Sequence, residues 1–270
     1  MPQIVLRDWY DTPLYYDIIF DEDTVAEADF LEEMHRRHGI ASTRDRKVLE
    51  LACGSGRLMR ELVCRGWKAS GFDLNPNMLD FARARLASEI REVQLWEDRM
   101  ESFRVPGSRR FDLVHCLVST FKYLRSENDA LSCLQRVAEV LKPGGILVLG
   151  LHLTDLSNRR PTHERWVASR DGIEVVCNTR TWPADPRSRS EAMRSRLRVT
   201  FPNGEVQCQE TNWEVRSYNA SQLRKLIRKI DKLTLAACHD FRHDPAESRK
   251  LDDSYADLVL VLKRTEEGMN

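Results

Sequence analysis

The chain of 270 residues has no excess of charge: Lys plus Arg and Asp plus Glu number 42 each, for a formal net charge of zero. That balance excludes a global electrostatic pull toward DNA, RNA or anionic lipid, which requires a surplus of cations. No apolar run approaches membrane-spanning length, and the start, Met1-Pro2-Gln3-Ile4-Val5-Leu6-Arg7-Asp8, lacks the long apolar centre of a signal peptide. A soluble cytoplasmic protein is expected, with no nucleic-acid or membrane partner. The seven cysteines, at 53, 64, 116, 133, 177, 208 and 238, include no Cys-x-x-Cys pair. An odd, scattered set argues for reduced thiols and against structural zinc, whose ligands usually arrive in tight pairs. The seven histidines form no His-Glu-x-x-His pattern, so no metal is expected.

What is present centres on Val48-Leu49-Glu50-Leu51-Ala52-Cys53-Gly54-Ser55-Gly56-Arg57, followed by Phe72-Asp73-Leu74-Asn75-Pro76. An apolar run over 48–51 reads as a buried strand. Gly54 and Gly56 then let the backbone take positive φ beside a ligand, and Leu58, Met59, Leu62 and Val63 begin an apolar pattern at helical spacing. Asp73 follows roughly twenty residues after the glycines, where a carboxylate can accept hydrogen bonds from both hydroxyls of a ribose. Asn75 before Pro76 already supplies the next helix cap, leaving Asp73 for a nucleoside.

Two phosphate-binding readings fail on missing residues. A dinucleotide fingerprint needs a third glycine where Met59 stands, and a P-loop needs Gly-Lys-Ser/Thr where the chain has Gly56-Arg57-Leu58. Glu50, an acid just ahead of the loop, would repel a pyrophosphate and suits a cationic ligand.

With an acidic residue, a short spacer and Gly-x-Gly, the chain resembles the class I S-adenosylmethionine-dependent methyltransferases. The likeness extends to Asp73 after the second strand, to Asp98 in Trp96-Glu97-Asp98-Arg99-Met100, to Phe111-Asp112-Leu113-Val114, and to Leu141-Lys142-Pro143-Gly144-Gly145. It covers roughly residues 45 to 152 and implies S-adenosylmethionine as cofactor, with S-adenosylhomocysteine as its product. The cofactor contacts it implies are Glu50, Ala52, Cys53, Gly54, Gly56, Arg57, Asp73, Leu74, Met78, Asp98, Arg99, Met100 and Leu117. Tyr15 and Tyr16 would close over the methionine end, where aromatic faces favour a cation.

Strands and helices alternate through the first half. Thr24 and Glu27 form a capping-box pattern for a helix reaching about His38, and helices at about 56–66, 76–89 and 127–141 alternate with strands near 47–52, 68–73, 92–96, 111–118 and 145–151. This order predicts an α/β fold, a doubly wound, mostly parallel sheet of seven strands, the last antiparallel. From 165 to 217 the rhythm changes to β-prone segments at 174–179, 196–201 and 210–215, separated by turn-rich stretches. The division expected is an aromatic N-terminal segment and capping helix (1–40), a cofactor-binding core (41–160), an antiparallel β insert acting as substrate lid (161–217), and the end of the core sheet (218–270).

The resemblance implies that the acceptor meets the insert and that a small molecule accepts the methyl group. The Asn/Asp-Pro-Pro-Tyr/Phe motif of amide methylation is replaced here by Ser119-Thr120-Phe121-Lys122-Tyr123-Leu124. That leaves N- or O-methylation of a small molecule by a monomer or homodimer. A base is needed only for a protonated or hydroxyl acceptor, with Tyr123, His152 and Tyr218 as candidates; His115, within an apolar strand, reads as core. A noncatalytic nucleoside-binding protein and, against Met59 and Glu50, a nicotinamide-dependent oxidoreductase remain alternatives.

Overall fold

Glycine turns and short apolar strands set the frame of the computed structural model, which describes residues 3–41, 45–89 and 92–265. Among the described residues the core strands are β2 (Lys47–Leu51), β3 (Lys68–Asp73), β4 (Val93–Glu97), β5 (Phe111–Cys116), β6 (Leu141–His152), β11 (Leu233–His239) and β12 (Asp257–Arg264). They form a seven-stranded sheet in the order β11-β12-β6-β5-β2-β3-β4. β12 runs antiparallel to both of its neighbours, and the pairs from β6 to β4 are parallel. The predicted doubly wound sheet is therefore present.

Both faces of this sheet are covered, which is why its central strands are mainly apolar. One face packs α5 (Glu127–Val140) and α6 (Ala220–Arg228) against Leu49, Val114, Leu147 and Leu260. The other packs α2 (Thr24–His38), α3 (Arg57–Cys64) and α4 (Pro76–Arg85) against Val48, Leu113, Val148 and Val261. The helix starts follow local chemistry. Ser126 with Asp129 and Asn219 with Gln222 make reciprocal capping boxes, and Asn75 accepts from the N–H groups of Asn77 and Met78 ahead of Pro76.

The Thr24 and Glu27 pattern has a different use. Asp23 is the cap residue of α2 and makes no side-chain cap bond. Thr24 Oγ1 and Glu27 instead hold the Arg57 guanidinium, at 3.0 and 2.5 Å. A buried cation outside the helix outcompetes the local cap because it has no water to fall back on.

The insert is larger than its three β-prone segments. β7 (Thr162–Arg170), β8 (Ile173–Thr181), β9 (Ser190–Thr200) and β10 (Val206–Arg216) form an antiparallel sheet whose edge is β1 (Ile4–Leu6), parallel to β10. The N-terminal segment joins this sheet. It contributes β1 and then α1 (Pro13–Phe20), and Trp9 and Ile18 pack on Val175, Cys177, Leu197 and Val199 of the insert's inner face.

Arginines of the insert are already engaged. Arg194 and Arg196 meet Glu210, Arg180 lies over Trp182, and Arg189 lies over Tyr218. Arg196 is solvated on the outer face, whereas Arg189 sits in the turn before β9, largely buried against Tyr218, and is no part of that face.

Candidate active site

Three backbone positions at the carboxyl ends of β2 and β5 depart from ordinary geometry. Ala52 has φ +51°, Val118 +56° and Ser119 +62°. Positive φ is strained for any residue with a Cβ and most of all for a β-branched one, and such strain collects at functional sites. Gly54 and Gly56 between β2 and α3 also have positive φ, +52° and +71°, as predicted. Their roles differ. A Cβ on Gly56 would stand 3.1 Å from Ala82 Cβ of α4, whereas one on Gly54 would meet only Tyr16 Cε1, at 3.6 Å. Gly56 permits helix packing, and Gly54 leaves its outer side open.

Above this loop lies a narrow chamber lined by Tyr16, Glu50, Ala52, Cys53, Ser55, Arg57, Leu117, Val118 and Thr120 among others. Glu50 is its chemical centre. Its Oε2 is buried without a partner, and burial first, with Glu27 and Asp73 nearby, pushes its carboxyl up to about 8 despite Arg57. Arg57 itself is turned to Glu27 and Thr24. The chamber thus holds the Glu50 carboxyl with Glu27 and Asp73 close behind it, and an orphaned carboxylate oxygen there fits an ammonium group.

At the end of β3, Asp73 accepts the Gly54 and Asn75 N–H groups at 2.8 Å each. Each carboxylate oxygen accepts one such bond and has a second lone pair for a hydroxyl. Burial raises its pKa against those bonds. Asp98 holds the loop after β4 through the N–H groups of Arg99 and Arg104, at 2.8 and 2.9 Å. Leu74 is exposed, Arg99 is exposed beside Glu101, and Met78 and Met100 are buried beneath the rim. Cys53 turns its side chain to Gly71, so only its backbone is available to the loop.

A second cavity of about 620 Å³ opens between the core, α1 and the insert. Aromatic rings dominate its wall, including Trp9, Tyr10, Trp166, Trp182, Trp213 and Phe241. The polar side holds a buried Lys122–Glu191 ion pair at 2.7 Å. Tyr123 and His152 also line it. Tyr123 is hydrogen-bonded to Tyr10 at 2.9 Å and pushed up to about 12 by burial. His152 Nδ1 pairs with Asp257 Oδ1 at 2.8 Å, and that hydrogen bond holds the Asp257 carboxyl below its usual range. Tyr16, Val118 and Thr120 line both cavities, so the two meet at the strained turn after β5.

Two sequence-based assignments change. Tyr15 points away from both cavities: its hydroxyl donates to Gln207 at 3.0 Å and its ring meets Phe201, because one turn of α1 can offer the chamber only one of two adjacent tyrosines. Tyr218 is buried beneath the insert, with Arg189 and Arg216 over its ring and Phe121 beside it, and does not line the cavity. Alternation along β10 aims Trp213 and Val215 inward, while Arg216 reaches the Arg125 carbonyl and Glu127.

Lys122, Glu191 and Asp257 were not singled out from the sequence. Asp257 had a findable signal, since the antiparallel pairing of the last strand sets it opposite His152. Among the described residues no group of three or more His, Cys, Asp or Glu is placed to hold a metal ion, and no helix is long and apolar enough to cross a membrane.

Comparison with known proteins agrees with this geometry. Residues 48–145 match the model of a methyltransferase domain family. A putative methyltransferase, YqeM, of Bacillus subtilis (strain 168) is 34% identical over 106 residues, covering 39% of this chain and 42% of the relative. The chain spans about half the length of the curated relatives it matches. An S-adenosylmethionine-dependent methyltransferase structure from Clostridium acetobutylicum superposes with a TM-score of 0.72 at 20% identity, covering 93% of this chain and 96% of the other. The sugar N-methyltransferase KedS8 from Streptoalloteichus superposes with a TM-score of 0.70 at 19% identity, over 98% and 96%. Residues 48–145 thus match a methyltransferase domain family, and the chain shares the fold of the S-adenosylmethionine-dependent methyltransferases it superposes on.

Proposed function

We propose that this chain transfers a methyl group from S-adenosylmethionine to a nitrogen or oxygen of a small molecule held between the core and the insert. The observation that carries the reading is the junction of the two cavities at Tyr16, Val118 and Thr120. One side of that junction is narrow and carries the unpartnered Glu50 carboxyl, and the other is roomy and aromatic.

Glu50 would hold the ammonium of the amino-acid end, the Gly54–Gly56 backbone would lie along it, and Asp73 would take the ribose hydroxyls. The Asp98 loop would border the base. Bound there, the cofactor supplies a methyl already activated by a sulfonium, so most of the protein's contribution is alignment to within about 3–3.5 Å and exclusion of water. The insert (161–217) and the N-terminal segment (1–40) provide that enclosure, with Trp9, Trp166 and Trp213 as apolar walls. His152 holds or removes the acceptor's proton at Nε2, with Nδ1 fixed by Asp257. The sugar N-methyltransferase among the structural neighbours supports a small polar acceptor. The reading carries a cytoplasmic monomer or homodimer without nucleic-acid or membrane partners.

Two measurements test it. S-adenosylhomocysteine should raise the melting temperature and NAD should not. Labelled methyl from S-adenosylmethionine should then enter at least one member of a panel of small amines, amino sugars and phenols. Stabilisation by NAD alone would overturn the reading.

A further inference from the structure

His115 lies on β5 directly opposite Glu50 of β2 in the parallel register. It is fully buried, and neither ring nitrogen has a hydrogen-bond partner. Buried polar atoms are nearly always paired, so an imidazole with both nitrogens orphaned requires an explanation. The nearest acceptor is Glu50, whose Oε1 stands 4.0 Å from His115 Nδ1, just outside hydrogen-bonding range. Glu50 Oε2 is also buried and unpartnered. Three orphaned atoms thus stand at the wall where β5 pairs with β2, and of the two residues Glu50 lines the chamber while His115 lies wholly buried behind it.

The other groups facing this wall are spoken for or cannot serve. Arg57 is bound to Glu27 and Thr24, Asp73 is held by backbone N–H groups, and Tyr16 and Cys116 contribute further burial, not charge. His115 is held neutral, its pKa pushed down to about 3 by burial and then by Arg57. A neutral imidazole has one N–H to give and brings no competing cation.

We propose that His115 is a positioning residue for the amino-acid end of the cofactor: its Nδ1–H closes onto Glu50 Oε1 and turns Oε2 toward the ligand's ammonium. The inference rests on the cofactor reading above and adds a residue to it. A small rotation of the Glu50 carboxyl brings the pair into range. Without that donor the carboxylate would be free to turn back toward Arg57, and the ammonium would lose its fixed partner.

Isothermal titration with two ligands separates this role from a structural one. S-adenosylhomocysteine carries the amino-acid end, and 5′-methylthioadenosine has the same nucleoside and thioether without it. His115→Leu should weaken S-adenosylhomocysteine roughly tenfold and leave 5′-methylthioadenosine within about twofold. Glu50→Gln should show the same split, and adding His115→Leu to it should cost little more, as expected for two residues acting as a unit. His115→Asn, which retains a donor, should keep S-adenosylhomocysteine affinity near that of the unaltered protein, and this arm stands if the leucine variant does not fold. Equal weakening of both ligands, no change in either, or full additivity in the double variant would each overturn the proposal. Failure of the unaltered protein to bind S-adenosylhomocysteine would instead remove the cofactor reading, and this proposal with it.

Discussion

The thioether of Met59 fills the space that a side chain at position 71 would need. A Cβ on Gly71 would stand 2.5 Å from Met59 Sδ and 2.9 Å from Cys53 Cβ. In a dinucleotide-binding loop the third glycine allows helix and strand to approach. Here that glycine is moved across the interface, from α3 to β3, and a large side chain occupies the helix position.

The pair can be tested by stability. Gly71→Ala should destabilise the fold by about 1–3 kcal/mol through overpacking. Met59→Ala should be destabilising alone yet should partly rescue Gly71→Ala. A double-mutant cycle from urea unfolding measures the coupling. Additive effects would show that the two residues do not share the space.

Asp73→Ala should weaken S-adenosylhomocysteine binding by about 1–3 kcal/mol, because it removes an acceptor from two ligand hydroxyls and from the Gly54 N–H. The fold should persist, since the β3 ladder does not depend on this side chain. Titration calorimetry on the folded variant reads the effect. Unchanged affinity would take Asp73 out of the site.

Glu50 makes binding and stability depend on pH in opposite senses. With its carboxyl pushed up to about 8, the free protein keeps it neutral below that pH, while a cationic ligand requires it ionised. Affinity for S-adenosylhomocysteine should therefore rise from pH 6 to pH 8, with proton release visible in buffers of different ionisation enthalpy. For folding, a raised carboxyl pKa stabilises below the unfolded value near 4.3, and this contribution is lost as pH climbs through about 8. Glu50→Gln should flatten the binding profile and stabilise the unliganded protein at pH 8 by about 1–3 kcal/mol. A steep profile persisting in the variant would assign the proton elsewhere.

His152→Ala should lower turnover of an acceptor found in the panel by roughly 10²–10⁴-fold without changing S-adenosylhomocysteine affinity. Asp257→Asn should shift the pH–rate profile, since Asp257 acts through the His152 Nδ1 pair. Equal activity in wild type and His152→Ala would identify an acceptor that needs no base.

Trp213→Ala should impair acceptor use and leave cofactor affinity unchanged, because Trp213 faces the large cavity. Arg216→Ala should change neither acceptor use nor cofactor affinity and should mainly lower the melting temperature, because its partners are the Arg125 carbonyl and Glu127. Loss of cofactor binding in the Trp213 variant would show that the two cavities are not separable.

The cofactor half of the molecule was legible because its signals are local. Gly54, Gly56, Asp73 and the Asn75–Pro76 cap each act within a few residues of where they stand, and apolar runs bounded by glycine state a buried parallel strand whatever lies around them. The acceptor half was not legible, because its residues become neighbours only through long-range pairing. Tyr10 meets Tyr123 across 113 positions, and His152 meets Asp257 across 105. Alternation in β10 showed that Trp213 and Arg216 face opposite ways but not which one looks inward, since a period of two has no preferred side until a second layer buries one face. Tyr15 and Tyr16 were equivalent as sequence; packing α1 against the insert turned one to Gln207 and the other to the chamber. Thr24 and Glu27 were read as a cap by local rule, yet a buried guanidinium 30 or more positions away claimed both, because an unpaired charge in the interior costs more than an unmade helix cap.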